Sequence, residues 1–580
     1  MNRRRRLIVA LVCVAAVLLA GRVMAMLYTD YAWYRALGAS ALWNERARDL
    51  AVIHLVSMTF AGLFTLVNLS ALRRSIVSLA FPRRLGNVEF GEAVPRRYID
   101  RFAFLLSAAV AVSMSFAVPR WQDLALVRAG PRFGEADPFF QMDLGFYVTW
   151  IPLETAVYTW ALILLVVVSA IVIGLYALTP SLRWQAGAFH VSTRVRRHLT
   201  ALASLLLLSM AWRYRLDGYE LLTRGSGVSG AFSYIDHQWL IPAYLSLSVG
   251  TVAGAALVLV TGWAGQVRAG FFTVSAILIF SIALGLILPS LVRNLGNSAA
   301  TASVERPYQA TREVFTRRAY GLGRQASVIL PREVTRFAAF SDSARTAGIV
   351  ERARATAIVY PGAPGAALAR NRPDVQAPLL GTGLQRLAYA WSEQRLDLMW
   401  STQPPSTRFV TTRGVRERLR RLTPVFDQGS RVEPAYLADT LFWIVQLYSA
   451  SATYPLSARY TLAGEERSYF RHAGTGMVNS RTGRVMVVPA PSADPIAASW
   501  RARFPANFRA GTQDILDALT ASPTERSNRI PAFGAASAGD SAFRTEVARL
   551  YERMRTSLAS GDLKAFGAAY DTLGLVIRRD

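Results

Sequence analysis

The chain is poor in charge, cysteine, histidine and lysine. Of its 580 residues only 18% are charged, whereas soluble domains carry about 25%. The one cysteine, Cys13, excludes an intramolecular disulfide and any metal site made of several cysteines. Five histidines are too few for a histidine-rich metal centre. The sequence also has neither a phosphate-binding loop ending in Lys-Ser/Thr nor a dinucleotide fingerprint, so no cofactor is expected.

Apolar residues take the place of the missing charge. They make up 52% of the chain, and the apolar runs crowd into its first half. A helix needs about 20 apolar residues to cross a hydrocarbon core of about 30 Å. By this measure residues 1–293 contain seven candidate spans, at 7–27, 50–72, 102–118, 155–178, 199–212, 240–263 and 271–292. The fifth is short, yet the pattern predicts a seven-span α-helical membrane bundle.

Arginine, which supplies almost all of the net charge of +27, is unevenly distributed. Arg3–Arg6 precede the first span, and the connections after spans two and four are rich in arginine, whereas those after spans one, three and five mix arginines with acids. Basic loops stay in the cytoplasm. The pattern predicts a cell-membrane protein with a cytoplasmic N-terminus and an extracytoplasmic C-terminal half. Arg3–Arg6 also suit a cleaved signal peptide, but the apolar run continues past Arg22, which favours an uncleaved anchor.

Residues 294–580 have the character of a water-soluble sequence of mixed helices and strands. Turn residues and the spacing of apolar residues place its elements. These are helices up to Gly321, over 383–399 and over 412–422, a buried strand over 440–449, a hairpin turn at Gly483, and a helix pair over 541–577 broken at Gly561. The expected fold is therefore a membrane bundle followed by a mixed α+β extracytoplasmic domain.

Seven stretches, in order along the chain, carry a family resemblance. They are YTDYAWYRALGAS, FGEADPFFQMDLGFYVTWIP, YELLTRGSGVSGAFSYID, VERPYQATREVFTRRAYGLG, VRERLRRLTPVFD, LADTLFWIVQLYSASATYPLS and LYERMRTSLASGDLKAFGAAY. The chain resembles a large bacterial group, uncharacterised protein family 0182. The resemblance implies seven spans and a large extracytoplasmic domain, and it implies no activity. The family's long middle portion between the ERPY and VRER helices is cut here to about 327–401, so an activity housed there does not carry over.

Six carboxylates fall in the predicted extracytoplasmic loops, among glycines and aromatic residues. If these loops converge above the bundle, oxygens from different loops could bind a hard cation such as calcium. The alternative is structural, with pairing to Arg132, Arg213, Arg215 or Arg224 and capping of helices. No EF-hand spacing is present, and the identity of any metal stays open. The six residues are Glu135, Asp137, Asp143, Asp217, Glu220 and Asp236.

A basic run and a single histidine are the remaining candidates in the C-terminal half. Arg416, Arg418, Arg420 and Arg421 suit a solvated helix face, with anionic lipid or an envelope polymer as the alternative partner. Nucleic acid is not expected, because no stacking aromatics accompany the run. His472 has no nucleophile motif nearby, so a surface or turn position is expected and no catalytic residue is assigned.

Three classes of function fit these observations. The leading one is a non-enzymatic membrane protein whose outer domain binds or organises material at the cell envelope. A transporter or channel for an unidentified solute is opposed by spans that contain almost no charge beyond Arg22 and His54. An extracytoplasmic hydrolase is opposed by the lack of a nucleophile–base motif. Apart from the lipid bilayer, the sequence leaves the partners, the oligomeric state and the biochemical activity open.

Overall fold

The chain forms two compact units, Met1–Leu516 and Asp517–Asp580. The computed structural model describes residues 3–76, 84–85, 88–89, 96–177, 182–185, 188–287, 298–322, 357–437, 440–462, 465–490, 494–509, 546, 549–557, 560 and 562–578. The first unit holds both the membrane helices and a mixed α+β domain. The five apolar helices followed by sheets agree with the outline expected from the sequence.

Long helices make up the first half of the larger unit. They are α1 (Arg3–Ala36), α2 (Ser40–Ile76), α3 (Arg96–Met114), the short α4 (Trp121–Ala129), α5 (Ile151–Ala177), α6 (Thr193–Thr223), α7 (Ile241–Ala264) and α8 (Val267–Ile282). Short hairpins follow α2 and α5, formed by β1 (Arg84–Leu85) with β2 (Val88–Glu89) and by β3 (Leu182–Gln185) with β4 (Ala188–Val191).

Five helical segments in the described part of the chain are long and apolar enough to cross a membrane. The other two predicted spans lie on α3 and α6. Both are helical, but arginines border their apolar stretches, at Arg97 and Arg101 in α3 and at Arg197 and Arg213 in α6. The five segments are Arg6–Ala36, Ser40–Leu72, Phe146–Ala177, Asp236–Ala264 and Val267–Gly285.

The helices α5 and α7 begin in the same unusual way. Each is preceded, without a break, by a π-helical turn, Phe146–Trp150 before α5 and Asp236–Leu240 before α7. In both, a proline is the second residue of the α-helix, and proline has no N–H to donate to the carbonyl one turn earlier. The wider π turn therefore accommodates the start of each helix.

Two apolar clusters hold the helices of the bundle together. The larger draws its buried residues from α2, α3, α5 and α6, among them Leu69, Val110 and Val168. The smaller joins α6 to α7 through Leu207, Ala255 and Val258. Both α3 and α6 are thus packed against neighbouring helices over part of their apolar length.

The second half of the larger unit is a mixed domain built around one antiparallel sheet. The sheet strands are β7 (Asp427–Gln428), β8 (Glu433–Leu437), β9 (Thr440–Ser451), β12 (Tyr469–Asn479) and β13 (Val485–Pro489). Their order in the sheet is β13–β12–β9–β7, with β8 also paired to β9. Smaller pairs join β5 (Ala367–Ala369) to β6 (Arg408–Val410) and β10 (Tyr460–Leu462) to β11 (Glu465–Arg467). Four helices accompany them, namely α9 (Ser298–Ala319), α10 (Leu384–Ser392), α11 (Val415–Leu422) and α12 (Pro495–Arg503).

Local predictions for this domain are confirmed in part. The strand predicted over 440–449 lies within β9, and the predicted turn at Gly483, with φ of +72°, joins β12 to β13. Gly321, with φ of +65°, follows α9 as expected. The helix predicted over 383–399 is too long, because Gln394 takes a left-handed φ of +55° that ends regular helix after α10.

The smaller unit is helical where the structure describes it. One helix covers 549–557, here α13, and the next is α14 (Leu563–Arg578). The Asp562 carboxylate accepts a hydrogen bond of 3.0 Å from the Ala565 N–H and so caps α14. Gly561, the predicted break between the two helices, lies outside the described residues.

Candidate functional site

The two halves of the larger unit share one buried core, which we call the junction. It forms where the ends of the membrane helices meet the sheet of the mixed domain. The indole of Trp33 and that of Trp500, which come from opposite halves of the sequence, are both fully buried. The membrane half contributes Trp33, Tyr34, Leu144, Tyr147, Leu216 and Phe232 among others, and the mixed domain contributes Phe315, Leu447, Tyr469, Trp500 and Phe508 among others.

The length of α1 explains how a membrane helix reaches this core. Its 34 residues extend about 51 Å at about 1.5 Å per residue, well beyond a hydrocarbon core of about 30 Å. A helix of this length can cross a membrane and still extend its last turns into the mixed domain. There the guanidinium groups of Arg418 and Arg421 lie over the Trp33 ring, 5.8 and 5.1 Å from its centre. The Tyr34 hydroxyl donates to the Arg421 carbonyl oxygen at 2.9 Å.

Arg418 corrects the interpretation of the basic run as a solvated face. Its side chain is fully buried and donates to the carbonyl oxygens of Thr412, Gly483 and Gln376. Burial lowers the pKa of Arg418 to about 10, and the nearby Arg421 acts in the same direction. The sequence contained a signal for this position, because Val415, Arg418, Leu419 and Leu422 recur at the spacing of one helix face, and all four are buried.

The other arginines of the run differ in their surroundings. Arg416 donates to the carbonyl oxygens of Gly429 and Ser430 at 2.7 and 2.6 Å. Arg421 lies 3.5 Å from the Asp30 carboxylate of α1. Arg420 is exposed. The run therefore serves mainly to attach α11 to the sheet and to α1.

Ion pairs surround the junction and connect the two halves directly. The Arg503 guanidinium donates to both oxygens of Glu45, at 2.6 and 2.8 Å. Arg318 reaches Glu135 at 2.5 Å, and Arg224 pairs with Glu466. The two-pronged contact of Arg503 with Glu45 fixes orientation as well as distance, so this pair helps to hold the mixed domain in one position on the membrane half.

Two of the six predicted site carboxylates, Asp137 and Asp143, organise a single loop. Asp137 is fully buried and accepts hydrogen bonds from the backbone N–H groups of 139, 140 and 142 at 2.6–2.9 Å and from the Tyr147 hydroxyl at 3.0 Å. Asp143 accepts from the N–H groups of 133, 134 and 145 at 2.7–3.3 Å. A Cβ on Gly145 would clash with the Pro131 carbonyl oxygen, so the loop closes only with glycine there.

Asp236 plays the corresponding part in the loop before α7. It is fully buried and accepts from the N–H of Ser226 at 3.0 Å and from the N–H and hydroxyl of Ser233 at 2.8 and 3.0 Å. Both loops thus use a buried carboxylate to gather backbone N–H groups just before a π-helical turn. Charge-assisted hydrogen bonds of this kind are stronger than neutral ones.

The remaining three carboxylates meet arginines. Arg213 brings Asp217 and Glu220 together on the end of α6, at 2.6 and 2.9 Å, and Glu135 pairs with Arg318. Burial raises the pKa of Asp217, which lies beyond the predicted span 199–212, to about 6, although Arg213 opposes the shift. In the described residues no three or more His, Cys, Asp or Glu side chains are grouped so as to hold a metal ion. The proposed cation site stays a prediction.

Two further polar residues are His472, for which the sequence predicts a surface or turn position, and Asp494, which was not predicted from the sequence. His472 lies within β12 rather than in a turn, and its Nε2 lies 2.7 Å from the Gln446 side-chain oxygen. Burial lowers its pKa. Asp494, almost fully buried, caps α12 and accepts hydrogen bonds from the Tyr469 and Ser449 hydroxyls. The Asp-Pro pair at the start of this helix is the sequence signal that could have identified Asp494 as its cap.

These features define a class, a protein with several helices long and apolar enough to cross a membrane and a mixed domain fixed to their ends. Comparison with known proteins gives the family. The chain belongs to Uncharacterised protein family UPF0182, whose family model matches residues 7–350 and 375–521. The family expected from the seven sequence stretches is therefore confirmed.

Relatives share a quarter to a third of aligned residues. The chain is 31% identical over 310 residues to a UPF0182 protein of Salinibacter ruber (strain DSM 13855 / M31). This alignment covers 51% of this chain and 32% of the relative. It is 29% identical over 341 residues to a UPF0182 protein of Corynebacterium jeikeium (strain K411), covering 56% and 32%. It is 28% identical over 330 residues to one of Mycobacterium tuberculosis (strain ATCC 25177 / H37Ra), covering 56% and 33%. The matched stretches thus span about a third of these relatives' length, and no solved structure matches the chain.

Proposed function

We propose that this chain is a seven-span protein of the cell membrane whose C-terminal half is held outside the cytoplasm as a rigid platform for binding or organising envelope material. Its role in this proposal is non-enzymatic. The observation that carries the proposal is the junction, in which loops of the membrane half and strands of the mixed domain share one core. A domain attached in this way moves with the bundle rather than on a tether.

The junction also supports the count of seven spans. Trp33 at the end of α1, Leu144 before α5 and Phe232 before α7 belong to the same core, so they lie on the same side of the membrane. The chain leaves that side through α2 and must return to it before Leu144, which requires α3 to cross. It leaves again through α5 and must return before Phe232, which requires α6 to cross.

Packing makes the two less apolar spans physically reasonable. Met114 of α3 and Leu202 of α6 are buried in the bundle cluster, and Leu207 and Ala211 of α6 are buried as well. A helix surrounded by other helices exposes less of its surface to lipid than an isolated one. Short apolar stretches with arginines at their ends are therefore tolerated at these two positions.

The distribution of arginine supports the orientation. The N-terminus and the connections after α2 and α5 are the arginine-rich segments, and they lie opposite to the junction in a seven-span arrangement. In this arrangement the N-terminus lies in the cytoplasm, and the junction lies outside together with the whole mixed domain.

The exposed cation Arg420 suits an anionic partner, either an anionic lipid or an envelope polymer.

The contacts of the candidate residues support a binding rather than a catalytic role. The six loop carboxylates bind backbone N–H groups or arginines, His472 meets Gln446, and Arg418 meets three carbonyl oxygens. Groups engaged in this way position the backbone. They are poorly placed to exchange protons with a substrate.

Cysteine accessibility tests the topology sharply, because Cys13 is the only cysteine to remove. In a Cys13→Ser background, Arg132→Cys lies outside and Thr193→Cys inside if seven helices cross. If α3 and α6 do not cross, the two positions exchange sides. Intact cells treated with a membrane-impermeant maleimide should label Arg132→Cys at once and Thr193→Cys only after lysis. The reverse pattern would overturn the seven-span proposal.

The platform role is tested separately. Lipid vesicles that carry the full chain should sediment with insoluble cell-wall polymer more than empty vesicles do, and Arg420→Ala should weaken the effect. Vesicles that bind no polymer and instead release a trapped solute would favour a transporter.

A further inference from the structure

A second contact between the two halves is open rather than buried. Helix α10 of the mixed domain lies along the first membrane helix α1, and the rings of Tyr389 and Tyr28 approach to 6.2 Å. The two helices enclose a groove of about 630 Å³. Ligand pockets in proteins have volumes of about 300–1,000 Å³, so the groove is large enough for a small-molecule occupant.

The walls of the groove are apolar helix faces. On α1 they include Val17, Gly21, Met24 and Tyr28, which follow one stripe of the helix. On α10 they are Leu384, Leu387, Ala388 and Trp391, again at the spacing of one face. The described lining contains no charged side chain, and Gln385 supplies an amide. This surface suits a hydrocarbon occupant.

The position of the groove along α1 places it at membrane depth. The groove residues of α1, from Val17 to Tyr28, cover the second half of the predicted span 7–27 and end one residue beyond it. Eleven steps along the helix correspond to about 16 Å, close to half of a hydrocarbon core of about 30 Å. The groove therefore lies at the level of one leaflet, on the side of the mixed domain. It is continuous with the lipid-facing surface of α1, where Val17 and Met24 are 70% and 67% exposed.

The mixed domain also exposes large apolar side chains over the stretch 379–400, which contains α10. Leu384 and Trp400 are 83% and 74% exposed, and Leu379, Leu396 and Met399 are exposed as well. A patch of large apolar side chains on a domain surface marks a contact with another molecule or with a membrane. Arg386, the nearest cation on α10, donates to the carbonyl oxygens of Gly381, Ser401 and Gln403, which directs its charge into the domain.

We propose that the acyl chain of a membrane lipid from this leaflet occupies the groove between α1 and α10. The depth, the uncharged lining and the continuity with the lipid-facing side of α1 all favour hydrocarbon over a second copy of the chain. Gly21 keeps the groove open, since a Cβ added there meets nothing within 4 Å. The proposal requires that α1 crosses the bilayer, and it holds for either side of the membrane.

The test uses the full chain in detergent micelles with a trace of phosphatidylcholine that carries a photoactivatable diazirine on one acyl chain. After illumination, mass spectrometry should find the label on the peptide that contains 384–391. Excess unlabelled phosphatidylglycerol should compete it away. Gly21→Leu fills the groove without a clash and should reduce labelling about tenfold, the factor that two lost methylene contacts give. Leu384→Gln should reduce it as well.

Gly174→Leu is the matched control, because Gly174 lies in the membrane helix α5 and also has open space around its Cβ position. This variant should label like the unmodified chain. Labelling of 384–391 that excess lipid does not compete, or that Gly21→Leu leaves unchanged, would mean general contact with lipid and would overturn the groove proposal. Crosslinks between two copies through α10 would overturn it in favour of a dimer. Neither outcome bears on the sidedness measured by cysteine labelling.

Discussion

The C-terminal half touches the membrane helices at the junction and at the groove, and the two contacts differ in kind. At the junction, Trp33 and Trp500 are fully buried and ion pairs such as Arg503–Glu45 surround the core. At the groove, Leu384 remains 83% exposed, and the described lining carries no charge.

This difference indicates what completes each contact. The junction fills its space with residues of the chain itself, as a domain core does. The groove leaves apolar surface uncovered at the depth of a leaflet, so it is completed by the membrane. One contact therefore fixes the mixed domain to the helices, and the other fits the domain to the bilayer.

Removing the largest side chain at the junction should have the largest effect on stability. Trp33→Ala should lower the free energy of unfolding by about 3–5 kcal/mol, because it opens a cavity in a closed core. Leu384→Ala, in the lining of the groove and at a side chain that is 83% exposed, should change it by about 0.5 kcal/mol or less. Denaturant unfolding of both variants in the same detergent measures this. Equal losses would erase the distinction between the two contacts.

The loop carboxylate Asp137 comes next. Asp137→Ala leaves several buried N–H groups without an acceptor and should lower the free energy of unfolding by about 2–3 kcal/mol. The loop 131–145 should also become cleavable by protease. Asp397→Ala is the control, because this carboxylate is 61% exposed, and little change in the free energy of unfolding is expected. A protease-resistant Asp137→Ala loop would contradict the organising role.

A smaller effect is expected for the ion pair between the halves. A double-mutant cycle on Arg503→Ala and Glu45→Ala should give a coupling energy of about 1 kcal/mol, because both side chains are about three-quarters shielded from solvent. The same cycle on Arg395 and Asp397, a more exposed pair within the mixed domain, should give less than about 0.5 kcal/mol. Absence of coupling at Arg503 would leave the junction dependent on apolar packing alone.

The smallest effect concerns pH. Burial lowers the pKa of His472 in the folded chain, whereas an unfolded histidine takes up its proton near about pH 6.5. Above that pH both states are neutral. Below it the unfolded state binds the proton first, so stability falls with a slope of at most about 1.4 kcal/mol per pH unit. His472→Gln should flatten the change in melting temperature between pH 7.5 and 5.5. An unchanged slope would assign the acid sensitivity to another group.

Elements set by local chemistry could be predicted from the sequence, and the contacts between distant elements could not. The strand over 440–449 and the turn at Gly483 follow from residues within a few positions of each other. The helix over 383–399 was predicted too long because Gln394 takes a left-handed conformation that ends it. A left-handed residue other than glycine leaves no clear signal in the sequence. The hydrogen bond from the Tyr34 hydroxyl to the Arg421 carbonyl oxygen joins residues 387 positions apart, and neither stretch of sequence indicates the other as its partner. For Arg418 the helix spacing did indicate burial, but its charge suggested solvent.

The route of α1 has a consequence for how the protein is made. Trp33 and Glu45 leave the ribosome long before Arg503, which follows Glu45 by 458 residues. At about 5–20 residues per second, this interval lasts roughly 20 to 90 seconds. During that time the end of α1 carries an indole and a phenol ring with no core around them. The junction is therefore completed only by the last strands and α12, and a nascent chain stopped before them would expose the end of α1 to proteases and chaperones.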